Sequence, residues 1–324
     1  MHFRFKIPSL LENHEYPRFQ NWIIRVKDAY SPQKHWYDFH ELYLVFEFMD
    51  CNLAELNANR RDLFADSNGG DFIASLIRQL LCAVRHLHLE RLRLIHRDIK
   101  PSNILVRLEN GNRCHLKLAD LGSARQLPPD DDEMISRYVV TRPYRAPEII
   151  LTDNYERPVD LWSIGCVLAE LIINRVLFDE RDSLMLVYCI MQYVGITQSE
   201  IQELPLFVQQ NVLQNPHRFI TNHLETLLRS KGPQWSSSSI GMTELIGLTQ
   251  RLLTFSPQNR ITAQEALALP IWAPMENLND AEDGGNEYGI YVEDTQRRSD
   301  DQWKRELFCQ ESIFVFSIDF LYFP

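Results

Sequence analysis

One short segment, residues 96–103 with the sequence H-R-D-I-K-P-S-N, constrains the fold of this chain more than any other feature. It carries a carboxylate at Asp98, a cation at Lys100 and an amide at Asn103. A lone aspartate in a loop is usually a turn or cap residue. Together, however, the three groups match what phosphoryl transfer needs: an acceptor for a hydroxyl proton, a cation that spreads negative charge, and an oxygen ligand for a metal ion. The spacing therefore predicts a phosphoryl-transfer loop.

Further motifs follow this loop in a defined order. Residues 120–122 (D-L-G) would add a second carboxylate at Asp120 and a glycine that allows a sharp turn. Residues 146–148 (A-P-E) come next. Each motif alone is weak, because D-x-G is a common turn, but the ordered set is highly specific.

The charge balance limits the kinds of partner. Lys and Arg total 33 and Asp and Glu total 44, giving a net charge of −11, which argues against nucleic acid as the main partner. The 6 cysteines include no C-x-x-C pair, which predicts reduced, mostly buried thiols and a cytoplasmic and nuclear location. The first residues do not resemble a signal peptide. The apolar stretch 312–324 is too short to span a bilayer, so we expect no membrane association.

Hydrophobic periodicity predicts an α+β chain whose second half is mostly helical. Residues 41–48 show the clearest strand pattern, with apolar residues alternating on one side from Leu42 to Phe48. An amphipathic helix is predicted over 71–92, with Asp71 helping to cap its start. We further expect a strand at 25–30, a hairpin of 104–106 with 115–118, a buried helix at 159–173, and an acidic segment at 276–301.

The ordered motifs resemble those of the eukaryotic protein kinase family from about residue 42 to residue 272. This resemblance implies an α+β, bilobal protein kinase fold with a reduced β-rich small lobe and a mainly helical large lobe. Residues 1–50 would be the remnant of the small lobe, 51–275 the large lobe, and 276–324 a C-terminal extension. Within the large lobe, the resemblance implies a bidentate ion pair between Arg260 and Glu148.

One segment of the chain narrows the resemblance further. Residues 136–148 (S-R-Y-V-V-T-R-P-Y-R-A-P-E) look like the activation segment of mitogen-activated protein kinases, most of all the c-Jun N-terminal kinase branch. Residues 30–34 (Y-S-P-Q-K), 48–53 (F-M-D-C-N-L) and 301–308 (D-Q-W-K-R-E-L-F) resemble the same branch. The implied activity is transfer of the γ-phosphoryl group of ATP to Ser or Thr before Pro in protein substrates, with ATP and Mg²⁺ as cofactors.

The resemblance also assigns roles to residues that would bind the cofactors. Asp98 would be the catalytic base, Lys100 would steady the transferring phosphoryl group, and Thr141 would hydrogen-bond beside them. Asn103 and Asp120 would hold Mg²⁺. Phe46, Glu47, Met49 and Leu105 would form the adenine pocket, with backbone groups of the second and third facing the base.

Other residues would regulate the enzyme or bind its protein partners. By resemblance, Ser136 and Tyr138 are the sites that an upstream dual-specificity kinase phosphorylates. Arg97 and Arg145 could pair with added phosphate, and Arg145 would also shape a pocket for the proline after the target residue. The docking patch for basic motifs of partners would include Glu293 and Asp294. We expect a monomer.

The sequence also departs from the family. No glycine precedes Gly69, so the Gly-rich loop that holds ATP phosphates in kinases is missing. Only Lys6, Lys27 and Lys34 precede Lys100, and none is placed on the usual ATP-anchoring strand. Two alternatives stay open: a kinase whose small lobe is truncated in this sequence, or a pseudokinase that acts as a docking or scaffold protein.

Overall fold

A computed structural model of the protein describes residues 3–5, 22–33, 35–38, 40–90, 92–109, 113–127, 141–152, 155–219 and 222–275. The predicted C-terminal extension, 276–324, lies outside these residues. Among the described residues, no helix is long and apolar enough to cross a membrane.

A small antiparallel sheet forms the first part of the chain. Its strands are β1 (Phe3–Phe5), β2 (Val26–Ser31) and β3 (Tyr43–Phe46), in the order β1-β2-β3, with a 3-10 turn at Trp36–Asp38. Both strands predicted in this region are confirmed. The second strand is shorter than expected, because it ends at Phe46. The predicted alternation of apolar side chains does not extend to Phe48, which is 74% exposed.

Two further sheets carry the central loops. Their strands are β4 (Cys51–Asn52), β5 (Leu94–Ile95), β6 (Ile104–Leu108), β7 (Cys114–Leu118) and β8 (Arg125–Gln126). One sheet has the antiparallel order β4-β6-β7, and β5 pairs with β8 in the other. The predicted hairpin is confirmed, with Ile104 opposite Leu118. Ile24 donates its amide to the carbonyl of Leu118 at 2.9 Å, which ties the start of the chain to β7.

Among the described residues before the central loop are the helices α1 (Leu53–Asn59), α2 (Asp62–Ala65) and α3 (Gly69–Leu87). Helix α3 is the predicted amphipathic helix, although it begins two residues earlier and ends five residues earlier than expected. Asp71 does not cap it, which corrects the prediction. Its carboxylate accepts the amides of Ser239 at 3.0 Å and Ile240 at 2.8 Å instead, and so anchors a distant loop. The close approach of the Phe64 carbonyl requires a residue without Cβ at Gly69.

The remaining helices build the large, mainly helical part of the molecule. They are α4 (Pro147–Leu151), α5 (Pro158–Ile173), α6 (Ser183–Val194), α7 (Gln198–Glu203), α8 (Leu206–Gln214), α9 (Pro216–Phe219), α10 (Leu224–Lys231), α11 (Met242–Leu252) and α12 (Ala263–Leu267). Helix α5 is buried nearly all round, as predicted, and packs against α3, α10 and α11. The aromatic ring of Trp162 on α5 stacks on Phe178 with 5.8 Å between centroids.

The described cysteines form no disulfide, in line with the predicted reduced thiols. Their burial is lower than predicted: two are buried and three are half-buried. The buried thiols are Cys114 and Cys166, and the half-buried thiols are Cys51, Cys82 and Cys189.

Candidate active site

The central loop, residues 96–103, runs from β5 to β6 and is anchored by Asp160 at the start of α5. The Asp160 side chain is fully buried and accepts the amides of His96 at 2.8 Å and Arg97 at 2.9 Å. It also accepts a hydrogen bond from Nε2 of His88 at 2.9 Å. Burial raises the pKa of this carboxyl, but the His88 bond and the neighbouring donors outweigh burial and leave the pKa lowered. An ionised Asp160 therefore holds the loop.

The backbone of Arg97 shows what this anchor achieves. Its φ of 68° lies in the left-handed region, which is uncommon for a residue other than glycine. The Arg97 amide bond to Asp160 offsets this unfavourable conformation, and the next residue, Asp98, points into the site.

Four donors surround the Asp98 carboxylate, which is 6% exposed as a residue. Oδ2 accepts from Nζ of Lys100 at 2.6 Å and from Nδ2 of Asn103 at 3.0 Å. Oδ1 accepts from the amide of Thr141 at 3.2 Å and from its hydroxyl at 2.5 Å. Burial raises the pKa of Asp98, but the bonds from Lys100 and Thr141 lower it by more. The structure thus brings together the three residues predicted to be catalytic.

The geometry limits how Asp98 can act. A carboxylate offers about four acceptor positions, and all four are used. A substrate hydroxyl that approaches Asp98 must therefore share or displace one of these donors. Thr141 begins the described part of the segment that follows residues 128–140, whereas Lys100 and Asn103 lie in the anchored loop. Displacement of the Thr141 hydroxyl would disturb the loop least.

The two predicted metal ligands are held next to each other. The Asn103 carbonyl accepts the amide of Ala119, the residue before Asp120, at 2.9 Å. His96 also holds Ala119: its Nδ1 accepts the Asp98 amide at 3.3 Å, so Nε2 carries the proton and donates to the Ala119 carbonyl at 3.0 Å. Burial lowers the pKa of His96, in keeping with a neutral ring.

The donor atoms available at this point suit magnesium. Nδ2 of Asn103 donates to Asp98, which leaves the amide oxygen as the donor that a cation could use. Asp120 has a left-handed φ of 60° and an exposed carboxylate whose Oδ1 accepts the Gly122 amide at 3.2 Å. Mg²⁺ prefers oxygen ligands and takes few of them from the protein. The described residues contain no cluster of three or more His, Cys, Asp or Glu side chains that could hold a metal.

The predicted adenine-pocket residues lie along two neighbouring segments. Phe46 ends β3 and is 45% exposed, and Glu47 and Met49 follow it and lead into β4. Leu105 lies on β6, opposite Asn52 of β4. The sequence has no glycine before Gly69, so no glycine loop in this part can cover a nucleotide's phosphates.

The predicted phosphate-pairing arginines already have partners. The Arg97 guanidinium donates to the Ser123 carbonyl at 2.5 Å and to the Tyr155 hydroxyl at 3.3 Å, so pairing with a phosphate would require it to exchange neutral partners. Arg145, which follows residues 128–140 in the sequence, is half-buried. The remaining predicted site residues lie outside the described residues: Ser136, Tyr138, Glu293 and Asp294.

The predicted ion pair of Glu148 and Arg260 is present. The guanidinium donates to both carboxylate oxygens, at 2.6 and 3.0 Å, and lies over the ring of Trp162 at 5.0 Å. This buried ion pair is a structural contact, and we assign it no part in the chemistry of the site.

Two contributors were missed by sequence reasoning. Asp160 lies within the predicted buried helix at 159–173, and an acidic residue in so apolar a run indicates a buried hydrogen-bond network. The other is Lys117, a largely covered charged residue between Leu116 and Leu118 on β7, whose Nζ lies 3.1 Å from Oε1 of Glu47. Neither partner can be identified from sequence spacing.

Comparison with known proteins adds independent information. The sequence model of the family described as "Protein kinase domain" matches residues 13–272. Stress-activated protein kinase jnk-1 of Caenorhabditis elegans is 36% identical over 250 residues, 76% of this chain and 51% of the relative. Mitogen-activated protein kinase 12 of Homo sapiens is 35% identical over 287 residues, 87% of this chain and 70% of the relative. Stress-activated protein kinase JNK of Drosophila melanogaster is 30% identical over 295 residues, 89% of this chain and 74% of the relative. The chain thus spans about half the length of the nematode relative.

Proposed function

This chain belongs to the protein kinase family and, within it, to the mitogen-activated protein kinases, and from that premise we propose that it transfers the terminal phosphoryl group of ATP to serine or threonine hydroxyls of proteins. The family and the fold class predicted from the sequence are confirmed. Members of this family use ATP and divalent metal ions in general, act on protein substrates and are controlled by upstream kinases.

The donor network around Asp98 is the observation that supports this proposal. Asp98 is kept ionised by Lys100 and Thr141, so it can accept a hydrogen bond from a substrate hydroxyl and orient it for attack. Its lowered pKa makes it a weak base, which suits a loose transition state in which the hydroxyl proton leaves late. Nζ of Lys100, at 2.6 Å from Asp98, lies where it can stabilise negative charge on the transferring group.

Asn103 and Asp120 would hold Mg²⁺, which when bound neutralises charge on the nucleotide phosphates. The hydrogen bonds that join Asn103 to Asp98 and to Ala119 would keep the metal and the substrate hydroxyl in a fixed relation. No contact among the described residues favours the alternative of a non-catalytic scaffold protein. The residues proposed to act in phosphoryl transfer, Asp98, Lys100 and Asn103, are all present and joined by hydrogen bonds.

Finer features of the activity are part of the same proposal. Backbone groups of Glu47 and Met49 would hold adenine, and Arg145 would help form a pocket for proline after the target residue. A dual-specificity kinase would phosphorylate Ser136 and Tyr138. The support for the roles of Arg145, Ser136 and Tyr138 is the likeness of residues 136–148 to the activation segment of mitogen-activated protein kinases. The support for the adenine-binding backbone is the likeness of residues 48–53 to the same family.

The proposal extends to partners, assembly and location. Glu293 and Asp294 would bind basic docking motifs of substrates and activators. The protein would act as a monomer in the cytoplasm and nucleus.

The test is phosphate transfer from Mg-ATP to two peptides that differ only in Ser-Pro against Ser-Ala, followed by mass spectrometry. The protein is assayed before and after treatment with a dual-specificity kinase. We expect transfer to the Ser-Pro peptide, and a loss of about 100-fold or more in Asp98→Asn, in the range typical for a positioned acid or base. Glu225→Gln, which alters an exposed ion pair with Arg229, is the matched control. Equal transfer by Asp98→Asn, or none by the treated unaltered protein, would refute the proposal.

A further inference from the structure

A lysine on β7 and a glutamate after β3 form an ion pair between two sheets. Nζ of Lys117 lies 3.1 Å from Oε1 of Glu47, and the two side chains are only 12% and 11% exposed. Exposed ion pairs contribute little, but a pair this well covered fixes the distance between the segments that carry it, because breaking it would leave a charge without its counter-ion.

Both ends of this pair are firmly held. The same Oε1 of Glu47 accepts the amide of Arg25 at 3.0 Å, and the Glu47 amide donates to the Arg25 carbonyl at 3.0 Å. Lys117 is paired with Leu105 in the β6–β7 ladder, three residues before Asp120. The ion pair thus joins the segment proposed to bind adenine with the strand that leads to a proposed metal ligand.

The other charges around Lys117 show why Glu47 is needed. Burial lowers the pKa of the Lys117 ammonium most, and the charges of Arg25 and Arg107 lower it further. Glu47 acts in the opposite direction, through its hydrogen bond and its charge. Arg107 has a separate partner, since its guanidinium donates to the carbonyl of Phe48 in the same segment.

We propose that Lys117 is a positioning residue for the nucleotide, because its ion pair with Glu47 sets the spacing between the adenine-binding backbone at 47–49 and Asp120. A nucleotide with its metal ion has to reach both ends of this span at once, and a displacement of about 1 Å can cost about 100-fold in a positioned site. Kinases usually position ATP with a lysine–glutamate pair in the small lobe; here Lys117 on β7 and Glu47 after β3 form a lysine–glutamate pair that joins the two segments proposed to contact the nucleotide. The inference rests on the proposed function, because it presumes that a nucleotide binds here.

The experiment measures the affinity of mant-ADP with Mg²⁺ by fluorescence, together with the melting temperature of each variant by circular dichroism. We expect Lys117→Met to raise Kd at least tenfold, and Lys117→Arg to stay within threefold of the unaltered protein. The double variant Glu47→Gln/Lys117→Met leaves no unpaired charge, so its melting temperature should recover while its affinity stays weak. Arg229→Met, in an exposed pair with Glu225, is the control and should change neither value.

The outcomes separate the inference from the proposed function. If the double variant binds mant-ADP as tightly as the unaltered protein, or if Lys117→Met does, the pair has no positioning role and the inference is overturned alone. If the unaltered protein does not bind mant-ADP, the proposed function fails and the inference fails with it. Should Lys117→Met not fold, Lys117→Arg and the double variant still decide.

Discussion

Replacement of Asp160 by asparagine should loosen the central loop and weaken the whole fold. In the protein, Oδ2 accepts the His96 amide and His88, while Oδ1 accepts the Arg97 amide. An asparagine keeps one acceptor oxygen, and its NH₂ group must face at least one of the backbone donors. One charge-assisted bond is lost and one buried N–H is left without an acceptor, so we expect a loss of about 2–4 kcal/mol in the free energy of unfolding. For a chain of 324 residues, that corresponds to a fall of roughly 3–6 °C in melting temperature.

The same replacement should impair activity by more than the stability loss explains. Without its bond to Asp160, Arg97 can leave its left-handed conformation, with φ of 68°, and carry Asp98 out of position. A shift of about 1 Å would reduce transfer by roughly 100-fold. Thermal melts by circular dichroism and peptide phosphorylation at 20 °C measure the two effects. Asp62→Asn, which alters an exposed pair with Arg60, should do neither. A melting temperature within about 1 °C of the unaltered protein, with activity retained, would refute the reasoning, because about 1 °C corresponds to under 1 kcal/mol.

Three further predictions concern the support of the site. Arg260→Met should leave the buried Glu148 carboxylate without its counter-ion and cost about 3–5 kcal/mol in urea unfolding; a loss below about 1 kcal/mol would contradict it. Burial raises the pKa of Glu170, so its protonated form favours folding: that stability is full below the unfolded pKa and is lost as pH rises through the folded pKa. Glu170→Gln should therefore gain melting temperature relative to the unaltered protein between pH 5 and pH 8, and a constant difference would disprove this. Gly165→Ala would place a Cβ 2.8 Å from the Leu253 side chain and should cost about 1–3 kcal/mol by overpacking, measured by the same unfolding assay, whereas a neutral effect would show that the helices can separate there.

Local sequence patterns were enough to predict most of the fold near the site. The hairpin and the buried helix with Asp160 follow from side-chain periodicity, which depends on neighbouring residues only. The grouping of Asp98, Lys100 and Asn103 was predictable for the same reason, because they lie within one loop.

Most contacts between distant segments could not be predicted from local patterns, and the Glu148–Arg260 pair and the contact of Thr141 with Asp98 were expected only from the resemblance to kinases. Asp71 was predicted to cap a helix, but its carboxylate accepts the amides of residues 239 and 240. A contact with a distant loop therefore replaces the predicted contact with the start of its own helix. Asp160 and the loop it anchors are far apart in sequence, as are Glu47 and Lys117. In each case the sequence identifies the charged residue but does not identify its partner.

The most direct test of the central claim is magnesium-dependent nucleotide binding, because the sequence lacks the glycine loop that usually holds ATP phosphates. Isothermal titration calorimetry with a non-hydrolysable ATP analogue, with and without Mg²⁺, compares the protein with Asp120→Ala. We predict binding that requires Mg²⁺ and weakens at least about tenfold in Asp120→Ala, the smallest loss typical of disturbed metal sites. Absence of binding by the unaltered protein, or equal affinity without Mg²⁺ and in Asp120→Ala, would contradict the account.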